Sequence, residues 1–255
     1  MPDFIIWSAP EEPYEKHIEL CLESWKKLKI RILPTLSRLF QVDANSADKT
    51  IGITILCHDI GKLSHQWQVN IHKPKAERKR GPPHATLGAP YLLILNGSNF
   101  NDLSSASALA ILMHHTDSGL AQGNLEHPAE DAINRGLVEY GTENIRWAKG
   151  ADEAFKQTVD NFPELEQNAK SLDSIKLKSL EDIAKQLRLW ARCPKEIERH
   201  QRRMQVLAIH HILKVCDWRA AAQRPQIESD EEGEEIENRW QDSILNIYNE
   251  GGLLV

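Results

Sequence analysis

The sequence lacks most features that would mark a disulfide-built, membrane-spanning or redox protein. Four cysteines, Cys21, Cys57, Cys193 and Cys216, are scattered through 255 residues without a C-x-x-C pair. That excludes a zinc-knuckle or thioredoxin-like signature and leaves buried thiols. The longest apolar runs, such as residues 91–95, fall far short of the ~20 residues that cross a bilayer, so no membrane partner is expected. Near the N-terminus, Asp3, Pro10, Glu11 and Glu12 stand where a signal peptide would carry basic residues and a small-residue cleavage site, and a cytoplasmic location is expected. There is no internal repeat and no G-x-x-x-x-G-K-[ST] loop, so the chain supplies no phosphate-loop ATPase. Nor does any serine or cysteine have a base placed beside it to make a protein nucleophile.

What is present is ordinary in bulk: 41% hydrophobic and 27% charged residues, enough to bury a proper core at this length. The net charge of −6 argues against a surface basic throughout. Seven acidic residues fall within residues 228–237, however, and the rest of the chain is close to neutral. A nucleic-acid substrate is therefore compatible with the composition.

Apolar residues recur at helical spacing over residues 14–33 (Ile18, Cys21, Leu22, Trp25, Leu28, Ile32), with Pro34 expected to break or kink the element. Residues 49–63, capped by Asp48, are rich in β-branched side chains and would alone suit a buried strand. A helix is predicted, because no other strand candidates surround it and a lone strand cannot satisfy its backbone. A basic loop (residues 73–83) leads to a helix over 84–95 and a turn at 97–99. Ser104 or Ser105 can cap the next helix, which runs through His114 and His115 toward Gly119. Residues 151–189 read as two or three helices broken at Pro163 and around 171–174.

Next comes a long helix over 195–222, with Ile197, Met204, Leu207, Ala208, His211, Ile212, Val215 and Trp218 at helical spacing after Pro194. The expected organisation is one all-α domain over residues 1–225, an acidic linker over 226–237, and a C-terminal helix and tail over 238–255.

The sharpest local signal is His58-Asp59-Ile60-Gly61-Lys62. Adjacent imidazole and carboxylate groups at a helix end can both reach a divalent cation, and the two oxygens of one aspartate can bridge two cations. Lys62 follows Asp59 by one turn, placed to meet a phosphate. The dipeptide keeps company with His17, with His84 in His-Ala-Thr-Leu-Gly-Ala, and with the pair His114 and His115. Neighbouring residues on a helix point about 100° apart, so that pair can share one metal only at a helix end or cavity wall. Asp217, between Cys216 and Trp218, is a charge that is costly to bury unless paired or metal-bound. His210 and His211 lie about two turns before it, too far for one coordination sphere, and are read as structural. His65 and Trp67 either line a substrate entrance or pack beneath the site.

These residues, in this order, resemble the HD phosphohydrolase superfamily, and more closely the HD nuclease of type I CRISPR interference as a stand-alone subunit. The resemblance covers residues 17–222, and the additional His84, His114 and His115 resemble its two-metal subset. It implies an HD-domain helical bundle with a central metal site and two divalent ions, drawn from Mn, Mg, Co, Ni and Fe. One ion would be held by His17, His58, Asp59 and Asp217, and the second by Asp59, His84, His114 and His115, with Asp59 bridging. It further implies a DNA endonuclease or exonuclease that hydrolyses single-stranded DNA by two-metal activation of water, with Asp59 and Lys62 as catalytic groups. A separate CRISPR helicase subunit and an RNA-guided surveillance complex would be its partners. The alternative is a superfamily phosphohydrolase acting on nucleotides or cyclic nucleotides. Lys73, Lys75, Arg78, Lys79 and Arg80, and separately Arg199, Arg202 and Arg203, are candidates for contacts to backbone phosphates. The competing reading of each group is a solvated surface.

Overall fold

The computed structural model describes residues 5–78, 84–95, 100–114, 145–160, 162, 171–174 and 177–224. The expectations placed on His115, Lys79, Arg80, Pro163, the helix end near Gly119, the acidic linker and the C-terminal helix lie outside the described residues, as does the side chain of Lys75.

The described chain is helical, as expected, with one addition. A two-stranded antiparallel hairpin, β1 (Trp7–Ala9) and β2 (Glu12–Pro13), pairs Trp7 with Pro13 and Ala9 with Glu12. Strands this short carry no period-two pattern, so the sequence does not announce them. The hairpin is anchored where Gln68 accepts from the Trp7 backbone N–H at 3.0 Å and donates to the carbonyls of Trp7 and Lys62 at 2.8 and 2.7 Å.

Helix α1 (Tyr14–Phe40) runs through Pro34 rather than stopping there. Proline removes the donor to the carbonyl four residues back, that of Ile30, which lies on an exposed turn open to water. Helix α2 (Ala44–His58) begins earlier than expected: Asp43 is its N-cap, accepting from Ser46 N–H at 2.9 Å. Asp48 instead accepts from Trp25 Nε1 at 2.7 Å and Lys29 Nζ at 2.6 Å, clamping α2 to α1. Residues 49–63 are not one helix either. The α-helix ends at His58, Asp59 terminates it, and Ile60–Leu63 forms a tighter 3-10 turn.

Helix α3 (His65–Asn70) and a 3-10 turn (Lys75–Glu77) precede α4 (His84–Leu95) and α5 (Asp102–Met113). The α5 cap is Asn101, whose side-chain oxygen takes Ser104 N–H at 2.8 Å. Ser104 and Ser105 therefore lie inside the first turn. Then follow α6 (Ala151–Val159), a 3-10 turn (Leu172–Ser174), α7 (Leu177–Ala191) and α8 (Glu196–Ala221).

The inner face of α8 is rotated from the expected one. Val206, Ile209, Ile212, Leu213, Cys216 and Ala220 are buried, whereas Ile197, Met204 and His211 are exposed. Pro194 also precedes the N-cap, Lys195, rather than occupying the first turn. α2 is enclosed by α1, α4 and α5, with α8 laid across α1 and α5. That enclosure explains its isoleucine-rich, nearly all-round apolar sequence: Ile51, Ile53, Ile55 and Leu56 are all buried.

Candidate metal centre

Five elements converge on Asp59. α1 brings His17, the end of α2 brings His58, the N-terminus of α4 brings His84, the end of α5 brings His114, and the last turns of α8 bring Asp217. Two glycines permit the approach. A Cβ on Gly61 would lie 2.2 Å from the His84 carbonyl oxygen, and one on Gly88 would lie 2.2 Å from that of Cys57. Neither contact is physically possible, so glycine at both positions lets α4 bring His84 against the HD turn.

The two oxygens of Asp59 face different partners. Oδ2 is 3.3 Å from His17 Nε2 and 3.5 Å from His58 Nε2; Oδ1 is 3.3 Å from His84 Nε2 and 3.9 Å from His114 Nε2. Asp217 Oδ1 joins the first side, 3.1 Å from His17 Nε2 and 3.8 Å from His58 Nε2. Among the described residues, the ligating atoms form two compact groups: His17, Cys21, His58 and Asp217, and then Asp59, His84 and His114.

Local hydrogen bonding prepares these groups to coordinate. His58 Nδ1 donates to the Ile55 carbonyl at 2.6 Å, and His114 Nδ1 donates to the Ile111 carbonyl at 2.5 Å. Each ring thereby keeps its Nε2 lone pair for the cluster. His58 Nε2 and Asp59 Oδ1 are buried without a hydrogen bond. Two buried polar atoms left so, amid three further imidazoles and a second carboxylate, are a donor set that fits divalent cations.

The electrostatics agree. Burial alone would raise the Asp59 carboxyl, yet the neighbouring His58, the Lys62 ammonium and the His17 and His84 imidazoles hold it well below the ordinary carboxylate range. Asp217 is likewise opposed by burial and held far down by His17 and His58. For His114, burial and then the charges of His58 and His84 push the imidazole down to about 3, so it is neutral and able to ligate.

Lys62 is buried rather than open. Its ammonium lies 2.7 Å from Asp59 Oδ2 and donates to Ser8 Oγ at 3.1 Å, with the Trp67 ring 5.4 Å away. Trp67 stacks edge-on against His84 at 4.8 Å, packing beside the site, while His65 is exposed. His210 is structural: its Nε2 lies 3.1 Å from the Met113 carbonyl, pinning the end of α5 that carries His114. In the basic loop, Arg78 Nε donates to the Lys73 carbonyl at 2.9 Å. Arg202 donates to the Trp190 carbonyl at 2.5 Å with its guanidinium 4.9 Å from that ring, a packing contact that neither sequence reading of it included.

Sequence reasoning missed Ser8, Glu12 and Cys21 as neighbours of the site. Cys21 was findable, being one turn after His17 on the same face, with its sulfur 3.7 Å from His17 Nε2. Ser8 and Glu12 belong to the hairpin, which leaves no periodic trace.

A helical bundle that gathers histidines from separate helices around the aspartate of an HD turn defines an HD-domain protein. The family model described as Cas3, HD domain matches residues 16–226, and the chain belongs to that family. It is 24% identical over 217 residues to the CRISPR-associated endonuclease Cas3-HD of Pyrococcus furiosus, covering 82% of this chain and 88% of that relative. A relative of the same name from Methanocaldococcus jannaschii is 29% identical over 106 residues, covering 39% of this chain and 43% of that protein. The solved structure of the CRISPR-associated Cas3 HD domain protein from M. jannaschii superposes with a TM-score of 0.62 at 18% identity, covering 82% of this chain and 99% of that one. The fold is thus the Cas3 HD fold.

Proposed function

We propose that this chain is a metal-dependent nuclease that hydrolyses phosphodiester bonds of single-stranded DNA in CRISPR interference, working with a separate helicase subunit and an RNA-guided surveillance complex. The observation that carries this reading is the division of Asp59 between two ligand groups, His17 and His58 at Oδ2 with Asp217 beside those two histidines, and His84 and His114 at Oδ1. The endonuclease names of the relatives support the reaction class. His115 is assigned to the second group by the same reading.

Two bound divalent cations would supply Lewis acidity at the phosphate and a water made nucleophilic at neutral pH. The chain's own part is to hold both aspartates as carboxylates and His114 as a neutral donor. Lys62, already oriented by Asp59 and Ser8, adds positive charge where the phosphate gathers negative charge in the transition state. Residues 1–225 would form the catalytic unit, with 226–237 as linker before a C-terminal helix and tail.

Purified protein, stripped and reloaded with Mn²⁺ or Mg²⁺, is offered single-stranded DNA, duplex DNA and a panel of nucleotides and cyclic nucleotides. Cleavage of single-stranded DNA, lost together with metal loading in Asp59→Ala, is the expected result. Phosphate release from nucleotides with DNA intact would instead establish the small-molecule phosphohydrolase.

A further inference from the structure

His17 is oriented differently from His58 and His114. His58 and His114 each use a backbone carbonyl of their own helix. His17 Nδ1 faces a carboxylate, Glu12 Oε1 at 3.1 Å, contributed by β2. Glu12 is only 4% exposed, and its other oxygen accepts from Arg224 Nε at 2.7 Å, just past the end of α8 and 212 residues along the chain. A buried carboxylate is costly without partners. Here its two oxygens are divided between one histidine and one arginine.

We propose that Glu12 is a positioning residue for the metal centre and that Arg224 holds it in place. The inference rests on the metal reading of the site. A carboxylate accepting from Nδ1–H favours, once a cation displaces the proton on Nε2, the tautomer that leaves Nε2 to ligate between Asp59 and Asp217, and it makes that nitrogen a more basic ligand than a carbonyl partner would. Arg224 adds a geometric lock. It joins the hairpin to the end of α8, seven residues after Asp217, so one contact aligns the elements that bring His17 and Asp217 together.

The test uses the full chain, stripped of metal, as wild type, Glu12→Gln, Glu12→Ala, Arg224→Ala and Arg224→Lys. Mn²⁺ affinity is measured by titration calorimetry, metal-free melting by circular dichroism, and the His17 ring by ¹⁵N NMR with Zn²⁺ as probe. Glu12→Ala should weaken Mn²⁺ binding on the order of 10–100-fold and shift the His17 ring nitrogens. Arg224→Ala should weaken binding less, with Arg224→Lys restoring part of the loss. If Glu12→Ala does not fold, the near-isosteric Glu12→Gln and the half-exposed Arg224 decide. Unchanged Mn²⁺ affinity in folded Glu12→Gln and Arg224→Ala, whatever their melting temperatures, would overturn the inference while the metal reading stands. Wild-type protein that binds no Mn²⁺ overturns both.

Discussion

At the scale of single residues, the site is organised by which atom of each group faces which neighbour. Asp59 Oδ2 is already shared by Lys62, Ser8, His17 and His58, and Oδ1 faces His84 and His114. Lys62→Met separates charge from ligation: metal content should be kept while kcat for DNA cleavage falls by about 10² or more. Parallel loss of metal and activity would make Lys62 a structural counter-ion only. His114 carries a pH dependence with a definite sign. The unfolded imidazole takes its proton near 6.5, but the folded one is held down to about 3. Between those values the unfolded state binds more protons, so the metal-free fold loses stability as pH falls, by up to about 1.4 kcal/mol per unit from this group. His210 is depressed by burial in the same direction, whereas the carboxylates of Asp217 and Asp59 hold the buried His17 imidazole up and act oppositely. The difference in denaturation midpoint between wild type and His114→Asn from pH 6.5 to 4.5 therefore isolates His114, and the variant should show the flatter profile.

At the scale of elements, α2 is the hub. Its β-branched sequence suits strand or helix, and only enclosure by α1, α4 and α5 explains why a helix tolerates isoleucine on nearly every side. The helical period of α1, the span of α4 and the length of α8 were legible in the sequence, because burial on one or more faces repeats every three to four residues. The caps were not: Asp43 and Asn101 do the work expected of Asp48 and of Ser104 or Ser105, since several polar residues compete near each helix start. The contact of α4 with the end of α2 sets the position of His84. Gly88→Ala, whose Cβ would fall 2.2 Å from the Cys57 carbonyl oxygen, should cost roughly 1–3 kcal/mol of stability through overpacking. Because His84 lies one turn before Gly88, Mn²⁺ affinity should drop with it in calorimetric titration.

At the scale of the whole molecule, charge is distributed unevenly along the chain. The acidic run at 228–237 holds more negative charge than the net value, and the basic residues 73–80 lead into the helix that bears His84. Neutralising Lys79 and Arg80 should weaken single-stranded DNA binding and reduce the slope of log K against log salt by about 1.4 if both meet phosphates. Metal content should stay unchanged, and an unaltered slope would return the loop to a solvated surface. No helix among the described residues is long and apolar enough to cross a membrane. The sequence by itself determined the helical class and the ligand types, because periodicity and the chemistry of histidine and aspartate are local properties. Only the tertiary structure decided that Asp59 ends a helix and divides its oxygens, that Lys62 is enclosed beside it, and that Glu12 and Arg224 meet behind His17. Apart from the local pairs Asp59–Lys62 and Glu12–His17, those relations join residues tens to hundreds of positions apart. They arise when burial forces each polar atom to find a partner wherever the packed helices happen to place one.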